Sequence, residues 1–230
     1  MINHPEFVEV LSHIEIADFR LVKSLKLEGP YDVSFVEGYP GDSHEVSLLK
    51  EIREKSEVLI ALGACACTGS IQSIRNFLPF KEAVSYVYPG VEKDIAKVQP
   101  LDAYVKVDFQ LPGCPASGEE AIQTLKALIV GRKPEPILHA VCVECKLRET
   151  ECILIRKVPC LGPVTRGGCG APCPAAGYIC DGCRGPCTDP NVASEVEILR
   201  KLLRREDLVR LFRRYAALKE GFKEVAEGRV

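Results

Sequence analysis

VLIALGACAC, residues 58–67, decides the fold. Its first five residues are apolar without alternation, which suits a parallel strand buried on both faces. The turn that follows carries Cys65. Working outward, residues 14–22, 32–36 and 103–109 also have strand character. Between these runs Val46, Leu49 and Ile52 recur at helical spacing, as do Ile122, Leu125 and Ile129. Ser117 and Glu120 form a capping-box pair that would open the second of these helices. Strand and helix in alternation predict an α/β fold with a doubly wound parallel sheet.

The chain has 230 residues, 47% hydrophobic and 27% charged, enough for one or two soluble domains. A chain of this length buries roughly 70% of its unfolded surface, so it needs no disulfides to hold a core. Thirty basic against thirty-two acidic residues leave a net charge of −2, which argues against a nucleic-acid binder. Residues 58–67 are the longest apolar stretch, about half of what a membrane span requires. The first residues carry no export signal, so the chain reads as cytoplasmic, without membrane insertion.

Twelve cysteines stand out in such a chain, because reduced compartments favour metal or redox roles over disulfides. Nine of them crowd into residues 142–187. Composition shifts near residues 131–136, which suggests an α/β domain over 1–135, a Cys-rich domain over 136–190 and amphipathic helices over 191–230. From 159 to 190 Gly and Pro recur too often for long helices or strands. The run divides into Cys142, Cys145, Cys152 and Cys160, then Cys169, Cys173, Cys180 and Cys183, with Cys187 left over. Each set of four thiolates suits one four-iron, four-sulfur cubane, and the turns would aim backbone N–H groups at sulfur. Structural zinc is the rival, but only Cys142/Cys145 and Cys180/Cys183 have the two-residue gap typical of it. Spacing favours iron–sulfur over zinc, with disulfides third.

Cys65 and Cys114 follow strands, so both fall at the carboxyl edge of the sheet, where cofactors bind. Taken alone, each reads equally well as a small buried hydrophobe. In the tail, Leu208, Leu211, Phe212, Tyr215 and Leu218 form one apolar face. Ten basic and five acidic residues follow from Arg200 onward. A solvated helix packed on the body is favoured there over a basic docking surface.

The turns GACA and LPGCP and the run PCLGPVTRGGCGAPCPAAGYICDGC resemble the small subunit of nickel–iron hydrogenases, closest to the cytosolic sulfhydrogenase delta and methyl-viologen-reducing types. The resemblance implies a flavodoxin-like domain followed by a cluster domain. It also implies an electron-transfer role beside a nickel–iron large subunit and a flavin- or ferredoxin-type acceptor subunit, with no catalytic centre on this chain. By motif position Cys142, Cys145, Cys152 and Cys160 correspond to distal-cluster ligands. Cys169, Cys173, Cys180 and Cys183 correspond to medial ligands. Cys173 stands where relatives with a three-iron medial cluster carry Pro, which implies four irons here. Cys65 and Cys114 correspond to two proximal ligands, and Val36, Glu37 and Gly38 match a segment bordering that cluster.

The family's other two proximal ligands come from a C-x-x-C turn after a first strand, and neither is in this sequence. Loss of that central strand would leave a slot between residues 14–22 and 32–36, with unpaired backbone groups costing roughly 1–3 kcal/mol each. A late start of the sequence is therefore favoured over a homologue that lacks the proximal cluster. Two four-iron clusters are expected, and a third where a C-x-x-C exists. Cys67 and Cys187 are given no role, and His139 reads as a surface or supporting residue. The alternative function is an iron–sulfur adapter of another oxidoreductase. The cluster subunit of respiratory complex I shares GACA and GCP but lacks a Cys-rich end.

Overall fold

The computed structural model describes residues 5–19, 27–90 and 96–229. Three parallel strands lie in the order β1 (Tyr31–Glu37), β2 (Ser56–Leu62) and β3 (Phe109–Leu111). Ile60 at the centre is opposite Phe35 on one side and Phe109 on the other. Before the Cys-rich stretch come α1 (Phe7–Leu11), α2 (Ser43–Lys55), α3 (Gly63–Thr68), α4 (Phe80–Val87) and α5 (Gly118–Ile129). The stretch itself holds α6 (Val141–Leu147) and α7 (Pro172–Ala175). The tail forms α8 (Val192–Leu199), α9 (Arg205–Arg213) and α10 (Lys223–Ala226).

β2 is the floor of two cores. Leu59 and Ala61 face Leu49 of α2, Leu101 and Cys67, while Ile60 points the other way to Leu111 and Ala121 of α5. Because successive strand residues face opposite sides, an unbroken apolar run needs helices on both faces, and it has them. α1 completes the second face through Phe7 and Val10 against Ile122 and Leu125. α2 begins at Asp42, whose carboxylate accepts the Glu45 amide at 2.8 Å, and α5 at Ser117, whose hydroxyl accepts the Glu120 amide at 3.2 Å.

Several expectations are corrected. The strand expected over 103–109 is confined to β3. Pro100 opens a turn in which the amides of Ala103, Tyr104 and Val105 bond back to Pro100 and Leu101, so they are taken from any ladder. Tyr104, Val105 and Val107 pack on the core from that loop, which explains their apolar character without a strand. Of the strand expected over 14–22, residues 14–19 are not a strand, and 20–22 lie outside the described residues, as does the end of the expected slot. The Glu120 carboxylate does not close a capping box; Arg184 takes it. In the tail α9 ends at Arg213, so Tyr215 and Leu218 lie beyond the helix.

The tail is a core element. Leu208, Leu211 and Phe212 join Phe222, Val225, Leu199 and Val196 around Leu161 and Val164 of the Cys-rich stretch. The Phe212 and Phe222 rings meet edge-on with centroids 5.0 Å apart. Two of its basic residues are used internally, while Arg200, Lys201 and Arg204 are exposed: Arg213 bonds the Ala226 carbonyl and stacks over Phe77, and Lys219 pairs with Asp102. Among the described residues no helix is long and apolar enough to cross a membrane.

Ile60→Ala is expected to lower stability by about 2–5 kcal/mol and Ser117→Ala by about 1 kcal/mol, read from urea unfolding midpoints. A smaller loss at Ile60 than at Ser117 would contradict the two-faced burial of β2.

Candidate metal centre

Two cysteine turns meet at the carboxyl edge of the sheet. Cys65 sits in α3, directly after β2, and Cys114 follows β3. The Ala64 amide donates to the Gly113 carbonyl at 2.8 Å, which fixes one turn on the other. Gly113 has φ +131°, and a Cβ there would stand 2.7 Å from the Pro115 carbonyl, so only glycine makes this turn. Burial raises the Cys65 thiol, and the neighbouring Cys114 raises it further. The two thiols are therefore within electrostatic reach of each other.

The other thiols of the two sets are also linked by charge. Burial pushes the Cys142 thiol up to about 12, and charge on Cys160, Cys152 and Cys145 adds to the shift. Cys183 is raised by burial, with Cys173 contributing, and Cys169 is raised by burial with Cys183 in range. Cys180 senses both Cys183 and Cys160, so the two sets abut there. Cys183 in turn is lowered by the Cys114 amide and raised by the Cys114 charge. Electrostatically the thiols run as a string from Cys65 and Cys114 through Cys183, Cys180 and Cys160 to Cys142.

Backbone amides are aimed at the sulfurs. The Gly162 amide donates to Cys160 at 3.4 Å, and the Ala171 and Gly182 amides, at the same two-residue offset, lower the Cys169 and Cys180 thiols against burial. Each such bond favours a thiolate that burial alone would neutralise. Among the described residues no three His, Cys, Asp or Glu side chains are placed to hold a single metal ion.

Three residues escaped the sequence reading. Glu144 accepts the amides of Gly168 and Gly170 and faces His139 at 3.1 Å, so it shapes the loop holding Cys169. Burial pushes its carboxyl up, but the Gly168 amide, His139 and the Gly170 amide outweigh that and hold it low. Arg184 is 2% exposed and bonds Glu120 and two carbonyls. Glu195, on α8, lies in reach of Cys142 and Cys160; burial pushes its carboxyl up to about 7. A charged residue beside a cysteine motif, as in Cys183–Arg184, was the available signal. Cys67 is wholly buried, donates to the Ala61 carbonyl at 3.3 Å and packs in the β2 core. Cys187 faces Arg166 and stands outside both sets.

Residues 1–128 match the family described as NADH ubiquinone oxidoreductase, 20 kDa subunit. The chain belongs to that family. Among curated proteins, this family member is 40% identical to the sulfhydrogenase 2 delta subunit of Pyrococcus furiosus, over 93% of this chain and 90% of that protein. It is 32% identical to a chain of the F420-non-reducing hydrogenase (vhu) of Methanocaldococcus jannaschii, over 79% of this chain and 74% of that protein. Among solved structures, a chain of an NAD+-reducing [NiFe]-hydrogenase in the H2-reduced state matches with a TM-score of 0.52 and 26% identity, covering 57% of this chain and 82% of that one. The protein is thus hydrogenase small-subunit-like, with a Cys-rich stretch beyond the segment that matches the family.

Burial holds the Cys67 thiol at about 12, so it is expected to resist iodoacetamide near neutral pH while the exposed Cys114 of metal-free protein reacts. Equal labelling rates by peptide mass spectrometry would contradict its burial. For Glu195 the folded carboxyl keeps its proton up to about 7 whereas the free side chain loses it near 4.5. Between those values the folded state binds more protons, so stability falls as pH rises through the window. Glu195→Gln should flatten that decline in urea titrations spanning it.

Proposed function

We propose that this chain is the iron–sulfur electron-relay subunit of a cytoplasmic nickel–iron hydrogenase. The observation that carries the reading is the string of thiols from the sheet edge to Cys142. Tetrahedral zinc needs four thiolates each ~2.3 Å from one point. A cubane takes one thiolate at each of four separate irons, a wider arrangement. The two four-cysteine sets suit the second requirement by their spacing, and the Cys160 and Cys142 sulfurs lie together, 3.3 and 3.4 Å from where a Cβ at Gly162 would stand. The amides directed at sulfur fit it too.

In this reading Cys142, Cys145, Cys152 and Cys160 hold one four-iron cluster, and Cys169, Cys173, Cys180 and Cys183 hold another. Cys65 and Cys114 supply two ligands to a third, proximal cluster. Such clusters, when bound, supply one-electron storage and transfer. The chain's own residues hold the sulfurs in line, bury Cys160 and Cys180, and set the hydrogen bonds that tune each potential. Cys65 is half-buried and Cys114 exposed at the carboxyl edge. A large subunit with a nickel–iron site would dock over that edge, and a flavin- or ferredoxin-type subunit would meet the far end near Cys142. The relatives' hydrogenase names support the same assignment.

Protein loaded anaerobically with iron and sulfide is expected to bind about eight iron atoms through the two four-cysteine sets. Cys160→Ser and Cys183→Ser should each remove about half of that iron and a separate paramagnetic signal. Stoichiometric zinc without iron in anaerobically purified protein would overturn the proposal.

A further inference from the structure

The guanidinium of Arg184 is buried where three cysteine turns converge. It donates to the Pro112 carbonyl at 2.6 Å, to the Gly167 carbonyl, and to the two carboxylate oxygens of Glu120 at 3.0 and 2.8 Å. Pro112 leads into Cys114, Gly167 leads into Cys169, and Arg184 itself follows Cys183. The turns close tightly on it: a Cβ at Gly168 would lie 2.5 Å from its Nη2, and one at Gly113 3.4 Å from its Nη1. Its charge is felt at Cys169 and Cys183, and Glu120 meets it from α5. The other charges facing this group are Arg166, in range of both partners, and Glu144, in range of Glu120 and Cys169.

A clamp alone does not call for a buried charge, because neutral donors would bond the same carbonyls without the cost of desolvating an ion pair. A fixed cation beside thiolate sulfur does something a neutral donor cannot. Reduction adds one electron and one negative charge to the group those thiolates hold, and a nearby cation stabilises the added charge. We propose that the Arg184–Glu120 pair sets the reduction potential of the cluster held by Cys169, Cys173, Cys180 and Cys183, Arg184 raising it and Glu120 offsetting that rise. The inference rests on the iron–sulfur reading above. The one-electron step is plain: an electron enters the cluster from its neighbour, or from dithionite in a titration, and no bond forms or breaks.

The test is a redox titration of the full, cluster-loaded chain followed by electron paramagnetic resonance, with the signal assigned by its loss in Cys183→Ser. Glu120→Gln leaves the cation uncompensated. It should raise the potential of this cluster by about tenfold in the reduction equilibrium, ~59 mV for one electron. Adding Arg184→Met to that variant should bring the potential back to wild type or below, while the signal lost in Cys160→Ser moves less. Glu120→Gln keeps the side-chain shape, so it decides the matter even if the double variant does not load. A potential unchanged or lowered in loaded Glu120→Gln would overturn the inference. Wild-type protein that binds no iron would instead overturn the iron–sulfur reading beneath it.

Discussion

A buried guanidinium with no water to solvate it is stable only where acceptors surround it, and around Arg184 those acceptors come from three parts of the chain. Pro112 belongs to the turn after β3, Glu120 to α5, and Gly167 to the loop of the Cys-rich stretch. Removing one partner of such a pair costs about 3–5 kcal/mol, because the survivor is left charged and unpaired. The α/β sheet and the cysteine loops are thereby held in one register. The reach between Cys114 and Cys183 depends on that register, and so does the continuity of the thiol string.

The Cys-rich stretch brings few large apolar side chains of its own, and its only helices from residue 159 to residue 190 are α7 and a three-residue turn at Gly162–Val164. Its floor is supplied from elsewhere. Leu161 and Val164 insert into the cluster built by α8, α9 and α10, next to Phe212 and Phe222. The amphipathic tail is therefore the hydrophobic support for the thiols rather than an appendage. Part of its positive charge is taken up by the Ala226 carbonyl, the Phe77 ring and the carboxylates of Asp102 and Asp181.

Electrostatically, burial works against thiolates in the Cys-rich stretch. Burial raises Cys142, Cys160 and Cys180, and each thiolate penalises its neighbours. Amides recover part of that cost at Cys160 and Cys180, and Arg184 does so at Cys169 and Cys183. Cations bound by the sulfurs would recover the rest, since a coordinating thiol is deprotonated outright.

Much of this was legible in the residues. An apolar run with no alternation has to be a strand covered on both faces, so VLIAL by itself places β2 and the helices that cover it. Cysteine spacing proposes two sets of four thiols, and in the folded chain charge on Cys145, Cys152 and Cys160 reaches Cys142. The loop over 103–107 was not legible, since burial against the core and strand pairing leave the same apolar signature. Only tertiary structure could turn Glu120 from a helix cap into the partner of Arg184, or place Glu195 beside Cys142 and Cys160. Those pairings join residues 64 apart or more than 30 apart in sequence, and local propensity carries no information about which distant charge a buried group will find.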